Sequence, residues 1–216
     1  DARKTHQGII LTDEFYRLRE QSQVDDLLDE TEARWRLVET AWEMNLPKHL
    51  VQIEYDQEVL IANNQLRRVS VTKAKSALNG YHRGTCFYCG CSISLESSDI
   101  DRAEVDHFFP HRLRQCDASK PINGVANLVL ACVECNRGAQ GKFDRLPHPD
   151  FLEKLYIRNE YLIQSHHPLR ETLICQTGIK PEKRRAFLND AYRCVTRTYQ
   201  ASHGWRPKMK ALYLPR

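Results

Sequence analysis

The sequence predicts an α+β fold that is mainly helical, with a small central module that a bound metal holds together. Helical spacing of apolar residues dominates both ends of the chain, whereas the centre is loop-rich. That centre contains two cysteine pairs and two short β-like segments, EVDHFF (104–109) and NLVLAC (127–132). We therefore predict three parts: a helical region at 1–81, the central module at 82–148 and a basic helical region at 149–216.

The N-terminal region is predicted to be mainly helical. Thr12-Asp13-Glu14 is typical of a helix start, and a longer helix is predicted over Val24–Met44. Ser70 is predicted to cap a helix that runs to about Tyr81. Residues 49–63 mix alternating and helical patterns, so we assign them no structure. The apolar positions of the longer helix, whose aromatics we expect in the core, are Val24, Leu27, Leu28, Trp35, Val38 and Trp42.

The C-terminal region is predicted to hold three helices. The first covers Phe151–Ile163, the second starts near Pro168 and closes at Gly178, and the third starts at Pro181. The third has an apolar stripe that consists of Phe187, Ala191, Tyr192, Val195 and Tyr199.

Positive charge is concentrated in the C-terminal third. Residues 151–216 hold 13 basic and 5 acidic side chains, against 11 and 14 in residues 1–80 and 8 and 9 in residues 81–150. This distribution suits a polyanionic partner such as DNA, although a solvated basic surface explains it equally well. No stretch approaches the ~20 apolar residues of a membrane span, and no secretion signal is visible. We therefore expect a cytoplasmic protein that has no membrane partner, and the start at Asp1 leaves open that it is a fragment.

Eight cysteines are the unusual feature of the composition, and five of them cluster in CFYCGC and CVEC. Disulfide frameworks are typical of short secreted chains, so this clustering favours metal binding. Cys86 and Cys89 are separated by 42 residues from Cys132 and Cys135, and two such C-x-x-C pairs predict a structural Cys₄ zinc site. Cys91 is an alternative to Cys89. The other three, predicted to be ordinary small apolar residues, are Cys116, Cys175 and Cys194.

The central module also contains residues suited to phosphodiester hydrolysis. Asp106-His107 ends the first β-like segment, Asn127 opens the second, and Asn136 follows the last cysteine. In this order, with the paired cysteines, the motif over residues 82–145 resembles the HNH endonucleases, the ββα-metal nucleases. Many members carry His where this chain has Asn136, so the chain resembles the HNN variant.

A neutral histidine can take a proton from water, which makes His107 the candidate general base. Asp106 and Asn136 offer hard oxygen ligands that suit Mg²⁺ or Mn²⁺. The resemblance implies that these two residues hold one catalytic ion beside the scissile phosphate. It also implies that Asn127 braces the loop and orients the base, and that cleavage leaves 5′-phosphate and 3′-hydroxyl ends.

Several neighbouring residues have open roles. The candidate phosphate contacts are Arg112, Arg137 and Lys142, and for each one a solvated surface position is an equal alternative. His111 is a candidate assistant at the site. For His166 and His167 a capping or hydrogen-bonding role is favoured over a second metal site.

Two functions compete on these observations. The first is a metal-dependent DNA endonuclease, with RNA not excluded as substrate. Similar small HNH proteins resemble effectors of bacterial restriction and antiphage defence, which work with an ATPase or sensor partner. The second is a non-catalytic zinc module that binds nucleic acid or protein, which has no need of Asp106 and His107.

Overall fold

The computed structural model describes residues 8, 10–20, 24–43, 52–56, 59–63, 68–96, 101–111, 113–117, 119–199 and 204–208. Over these ranges the protein is mixed α and β, in agreement with the predicted α+β class. None of the helices described here combines the length and the apolar character that crossing a bilayer requires.

The N-terminal part contains two helices and a three-stranded sheet. In chain order its elements are α1 (Asp13–Arg19), α2 (Val24–Glu43), β1 (Gln52–Asp56), β2 (Val59–Asn63) and β3 (Arg68–Lys73). The strands pair antiparallel in the order β1-β2-β3. The segment to which the sequence pattern assigned no structure is therefore largely a β-hairpin, and this region is less helical than predicted.

The predicted helix start at Ser70 is wrong. Ser70 lies in β3, where it pairs with Ile61 of β2, and the next helix begins only at Ala74. The segment RVSVTK of β3 is rich in β-branched residues, which favour strands over helices. Pairing with β2 makes this preference decisive. The local sequence pattern does not show that pairing.

Part of the apolar stripe predicted for α2 does not face the core. Leu27, Leu28 and Trp35 are exposed, whereas Ala33 and Leu37 are buried. The helix thus packs against the rest of the protein through the face that contains Ala33 and Leu37, and the expectation that its aromatics are core residues is wrong for Trp35. The side chain of Trp42 lies outside the described residues, as does Met44.

The central part contains two paired strands followed directly by a short helix, with one further helix before the strands and one between them. Its elements are α3 (Ala74–His82), β4 (Ala103–His107), α4 (Leu113–Cys116), a 3₁₀ turn (Val125–Asn127), β5 (Leu128–Cys132) and α5 (Val133–Arg137). β4 and β5 form an antiparallel pair in which Ala103 lies opposite Cys132 and His107 opposite Leu128. α5 follows β5 directly and packs against both strands.

The C-terminal helices agree closely with the prediction. They are α6 (Pro149–Gln164), α7 (Arg170–Thr177) and α8 (Pro181–Tyr199). Gly178 ends α7 with φ at 124°, a conformation that side chains with a Cβ rarely adopt. Proline at the first turn of α6 and of α8 replaces a backbone N–H that would have no helical partner.

One buried cluster joins the three predicted regions. It includes Leu60 of β2, Leu78 of α3, Leu130 of β5, Leu155 of α6 and Val195 of α8, each at most 1% exposed. The regions therefore share a core, and the predicted boundaries at 81/82 and 148/149 stay predictions.

Polar side chains of α6 and α7 hold the 3₁₀ turn that precedes β5. Arg158 Nη2 donates to the Val125 carbonyl at 3.1 Å, and Asn159 Nδ2 donates to the Ala126 carbonyl at 3.2 Å. The Ala126 N–H in turn donates to Gln176 Oε1 at 3.1 Å. The C-terminal helices thereby determine where Asn127, the last residue of this turn, is placed.

His82, at the end of α3, satisfies the free edge of β5. Its Nε2 accepts a hydrogen bond from the Leu130 N–H at 3.2 Å, so the ring must be neutral at that nitrogen. Burial, and then the charge of Arg158, lowers the pKa of His82 to about 3. Protonation of this ring in the folded state would break the contact with β5.

We expect His82 to make the protein less stable in acid. The folded-state pKa of about 3 lies below the unfolded value of about 6.5, so the unfolded chain binds the extra proton between these pH values. The free energy of unfolding should therefore fall as pH drops from 7 to 4.5. In His82→Gln, which keeps an acceptor but cannot titrate, urea unfolding at the two pH values should show a smaller fall.

The matched control is His166→Asn, since His166 is exposed and asparagine tolerates its positive φ. This variant should lose as much stability in acid as the wild type. An unchanged acid loss in His82→Gln would show that His82 does not carry the effect.

Candidate metal centre and catalytic site

Four cysteine sulfurs converge where α3, β5 and α5 meet. The ligand atoms of Cys86, Cys89, Cys132 and Cys135 all lie within 4.8 Å of one another. Cys89 Sγ and Cys132 Sγ are 3.8 Å apart, which equals the edge of a tetrahedron with Zn–S bonds of about 2.3 Å. The set can hold a structural metal ion such as zinc, in agreement with the predicted ligands.

Local backbone geometry presents the first pair of sulfurs. The Gly90 N–H donates to the Cys86 carbonyl at 3.0 Å, and the Cys86 N–H donates to the Cys91 carbonyl at 2.8 Å. Hydrogen bonds with the thiols of Cys132 and Cys135 lower the pKa of the Cys86 thiol, whereas hydrogen bonds within the same cluster raise the pKa of the Cys135 thiol.

The cluster contains Cys89 rather than Cys91, whose sulfur lies beside it at 3.2 Å from Cys89 Sγ. Among the other cysteines, Cys175 is exposed. Cys116 and Cys194 are close enough for their thiols to hydrogen-bond, and burial followed by this hydrogen bond raises the pKa of Cys194 to about 11.

Asp106 is buried in a polar network at the end of β4. The Tyr88 hydroxyl donates to its Oδ2 at 2.6 Å, and Lys142 Nζ donates to its Oδ1 at 3.1 Å. The same ammonium donates to the carbonyls of His107 at 2.8 Å and Phe143 at 3.0 Å. Burial raises the pKa of the Asp106 carboxyl, and the charge of Lys142 opposes that rise.

Lys142 is therefore not on the surface where we predicted a phosphate contact. Its side chain is 1% exposed, and three oxygen atoms surround the ammonium. Lys142 is buried because the buried Asp106 carboxylate requires a nearby cation. The sequence does not show that Asp106 is buried. Arg112, a second predicted phosphate contact, lies outside the described residues.

Asn136 and Arg137 both contact Glu104, which the motif did not single out. Asn136 Nδ2 donates to Glu104 Oε2 at 2.9 Å, and Arg137 binds both carboxylate oxygens at 3.0 and 2.6 Å. Because Glu104 and Asp106 are two residues apart on β4, they share the strand face that α5 covers. Asp106 and Asn136 thus lie on the same β4–α5 face, while Arg137 is half-exposed and already paired.

His107 occupies the other face at the end of β4. Its Nε2 lies 3.1 Å from Asn123 Oδ1, so with the amide oxygen as acceptor Nε2 carries the proton and Nδ1 the lone pair. The ring centroids of His107 and His111 are 4.6 Å apart. Burial, and then the charge of His111, lowers the pKa of His107 to about 4, so its ring is neutral at physiological pH.

Asn127 holds the loop that leaves His107. Its Oδ1 accepts from the Phe109 N–H at 2.7 Å, and its Nδ2 donates to the carbonyls of Phe109 at 3.2 Å and Ile122 at 2.9 Å. Every polar atom of this buried amide has a partner in the loop. Asn127 is a positioning residue in this geometry, since its side-chain bonds go to the loop backbone.

Two predicted accessory groups have clear positions. His111 is exposed, and its N–H donates to Asp144 Oδ1 at 3.2 Å. His167 is buried, and its Nδ1 accepts from the Leu169 N–H at 3.1 Å before α7 begins. The hydrogen-bonding role favoured for His167 is thus observed, whereas its neighbour His166 is exposed.

Sequence patterns missed Tyr88, Glu104 and Asn123, which contact the motif residues. Of these, Tyr88 could have been found from the sequence, because it lies inside the first C-x-x-C pair.

Comparison of the chain with protein-family models, with curated proteins and with solved structures finds no match. The resemblance to HNH nucleases therefore depends on the sequence motif alone.

We expect the cysteine cluster to bind about one zinc ion per chain. Cys135→Ser removes a buried ligand from the centre of the cluster, so this variant should lose the metal and unfold at lower urea concentration. Metal content by mass spectrometry and urea unfolding with and without a chelator measure both effects. Cys175→Ser, an exposed cysteine outside the cluster, should behave as the wild type; zinc retained by Cys135→Ser would contradict the assignment.

We expect Lys142→Met to be strongly destabilising, because it leaves the Asp106 carboxylate buried without its cation. Loss of one partner of a buried pair costs about 3–5 kcal/mol in the free energy of unfolding. The double variant Asp106→Asn/Lys142→Met removes both charges and should be more stable than the single variant in urea unfolding.

Arg193→Met provides the control, since Arg193 and Asp190 form an exposed ion pair. Its effect should stay below about 1 kcal/mol. A double variant no more stable than Lys142→Met would show that the charge of Asp106 is not the cause.

Proposed function

We propose that the chain is a metal-dependent endonuclease that hydrolyses DNA phosphodiester bonds and leaves 5′-phosphate and 3′-hydroxyl ends. The observation that carries the proposal is the neutral His107 imidazole at the end of β4, in a strand–strand–helix unit whose second strand and helix hold two of the four clustered cysteines. The resemblance to HNH nucleases implies the same order of elements and the same motif residues. Their chemistry, rather than the fold alone, supports the function.

Three side chains around the end of β4 support hydrolysis. The neutral ring of His107 can accept a proton from an attacking water. His111 is exposed beside it, and the exposed Arg114 is close enough for its charge to lower the pKa of His107. A guanidinium at this position can bind a phosphate group, so Arg114 replaces Lys142 as the candidate contact.

A catalytic Mg²⁺ or Mn²⁺ would take its donors from the β4–α5 face, whereas His107 lies on the other face, so ion and base could act on one phosphate only around the end of β4. Asp106 offers carboxylate oxygens, and the amide oxygen of Asn136 remains an acceptor while its nitrogen donates to Glu104. When bound, the ion supplies Lewis-acid stabilisation of charge on the phosphate. Since the Lys142 ammonium contacts Asp106, the ion must share that carboxylate with Lys142 or displace it.

A non-catalytic zinc module that binds nucleic acid or protein is the second candidate. One observation favours it: both oxygens of Asp106 already have partners within the protein, as expected of a structural carboxylate. In such a module His107 would need no role in proton transfer.

The biological setting follows from the resemblance alone. We propose a bacterial cytoplasmic effector of restriction or antiphage defence that works with an ATPase or sensor protein. The excess of basic residues in 151–216 suits the DNA, and the acidic excess in 1–80 suits the protein partner.

We expect His107→Ala to lower the rate of plasmid nicking by at least about 100-fold, because the variant lacks the proton acceptor. DNA binding and zinc content should stay unchanged. Plasmid, single-stranded DNA and RNA would be tested with Mg²⁺, Mn²⁺, Ni²⁺ and Zn²⁺, and the oxygen donors predict the highest rate with Mg²⁺ or Mn²⁺.

The control His166→Asn alters an exposed histidine elsewhere and should nick at the wild-type rate. Absence of cleavage of every substrate by the wild type would overturn the enzyme and leave the binding module. Faster cleavage with Ni²⁺ or Zn²⁺ would overturn the assignment of Asp106 and Asn136 as the ligands.

A further inference from the structure

A fifth thiol lies next to the four-sulfur cluster. Cys91 Sγ is 3.2 Å from Cys89 Sγ, which is shorter than the 3.8 Å between Cys89 Sγ and Cys132 Sγ inside the cluster. Only Gly90 separates the two cysteines in sequence. Cys91 is not needed to complete a tetrahedral site, because four sulfurs already do so.

The backbone holds these two thiols together. Gly90 has φ at 73°, and a Cβ placed on it would meet no atom within 4 Å, so the turn faces solvent. The hydrogen bond from the Cys86 N–H to the Cys91 carbonyl closes the turn behind them. The close approach of the two sulfurs is thus a property of a closed turn.

Exposure differs among the five thiols. Cys89 is exposed, Cys91 and Cys132 are partly exposed, and Cys86 and Cys135 are buried. A small oxidant that arrives from solvent therefore reaches Cys89 and Cys91 before it reaches the buried sulfurs.

We propose that Cys91 is an oxidation site that forms a reversible disulfide with Cys89 and thereby removes one ligand from the metal. This proposal depends on the cysteine cluster and is independent of the proposed hydrolysis. The oxidant is a peroxide. Two sulfurs at 3.2 Å need to approach by only about 1 Å to reach the S–S bond length of about 2.05 Å.

The reaction balances with one hydrogen peroxide. The Cys91 thiol loses its proton and attacks the peroxide, so that a sulfenic acid forms and hydroxide leaves. The Cys89 thiolate then attacks the sulfenic sulfur, the S–S bond forms, and a second hydroxide leaves. Two protons convert the hydroxides to water, so the peroxide gains the two electrons that the sulfurs lose. The metal keeps Cys86, Cys132 and Cys135 and binds more weakly, and a dithiol reductant restores Cys89.

The test uses the zinc-loaded full chain and hydrogen peroxide. A chromogenic chelator follows zinc release, and mass spectrometry after chymotryptic cleavage at Tyr88 separates Cys86 from the peptide that holds both Cys89 and Cys91. Wild type should release zinc as this peptide loses two hydrogen atoms, and dithiothreitol with added zinc should reverse both changes.

Cys91→Ser keeps all four ligands, so it should bind zinc as the wild type does and release it more than about tenfold more slowly. Cys91→Ala should behave in the same way, and Cys175→Ser should match the wild type.

Release from both Cys91 variants at the wild-type rate would overturn the proposal, as would a Cys89–Cys132 disulfide in place of Cys89–Cys91. Zinc loss in both Cys91 variants before any oxidant is added would instead make Cys91 a ligand. If the wild type binds no zinc, the peptide mass after peroxide treatment still tests the proposal. Absence of the Cys89–Cys91 disulfide would then overturn it.

Discussion

The convergence of four cysteine sulfurs is the constraint on which the central part of this protein depends. Cys86 and Cys89 belong to the turn after α3, Cys132 ends β5, and Cys135 lies in the first turn of α5. A two-stranded sheet with a five-residue helix cannot bury enough apolar surface to be stable by itself. A metal bound by these sulfurs would join the turn after α3, β5 and α5, and would add folding free energy to the core that the central part shares with its flanks.

Polar contacts from outside the sheet determine the rest of the site. The turn before β5 is held by Arg158, Asn159 and Gln176 of the C-terminal helices, and the edge of β5 is satisfied by His82 of α3. Asn127 therefore reaches the loop after His107 from a position that α6 and α7 define. The C-terminal helices thereby provide the frame of the site.

The elements that could be predicted are those with a strong local pattern. The C-terminal helices have regular apolar spacing with proline and glycine at their ends, and the structure places them within a few residues of the prediction. The hairpin β1–β2 and the strand β3 could not be predicted, because their stability comes from pairing with one another rather than from any local pattern. The apolar stripe of α2 was misleading for the same reason, since Ala33 and Leu37, not Trp35, meet the neighbouring elements.

At the site, the sequence by itself determined that the two C-x-x-C pairs converge and in what order the motif residues follow, while the structure decided between Cys89 and Cys91. Short spacings dictate those features: a C-x-x-C turn brings two sulfurs together wherever it occurs, and alternation along a strand separates the faces of Asp106 and His107. Only the tertiary structure decided the partners: Lys142 with Asp106, Glu104 with Asn136, and Asn123 with His107. The physical reason is burial, because a charge or an amide removed from water requires a partner that distant parts of the chain supply only after folding.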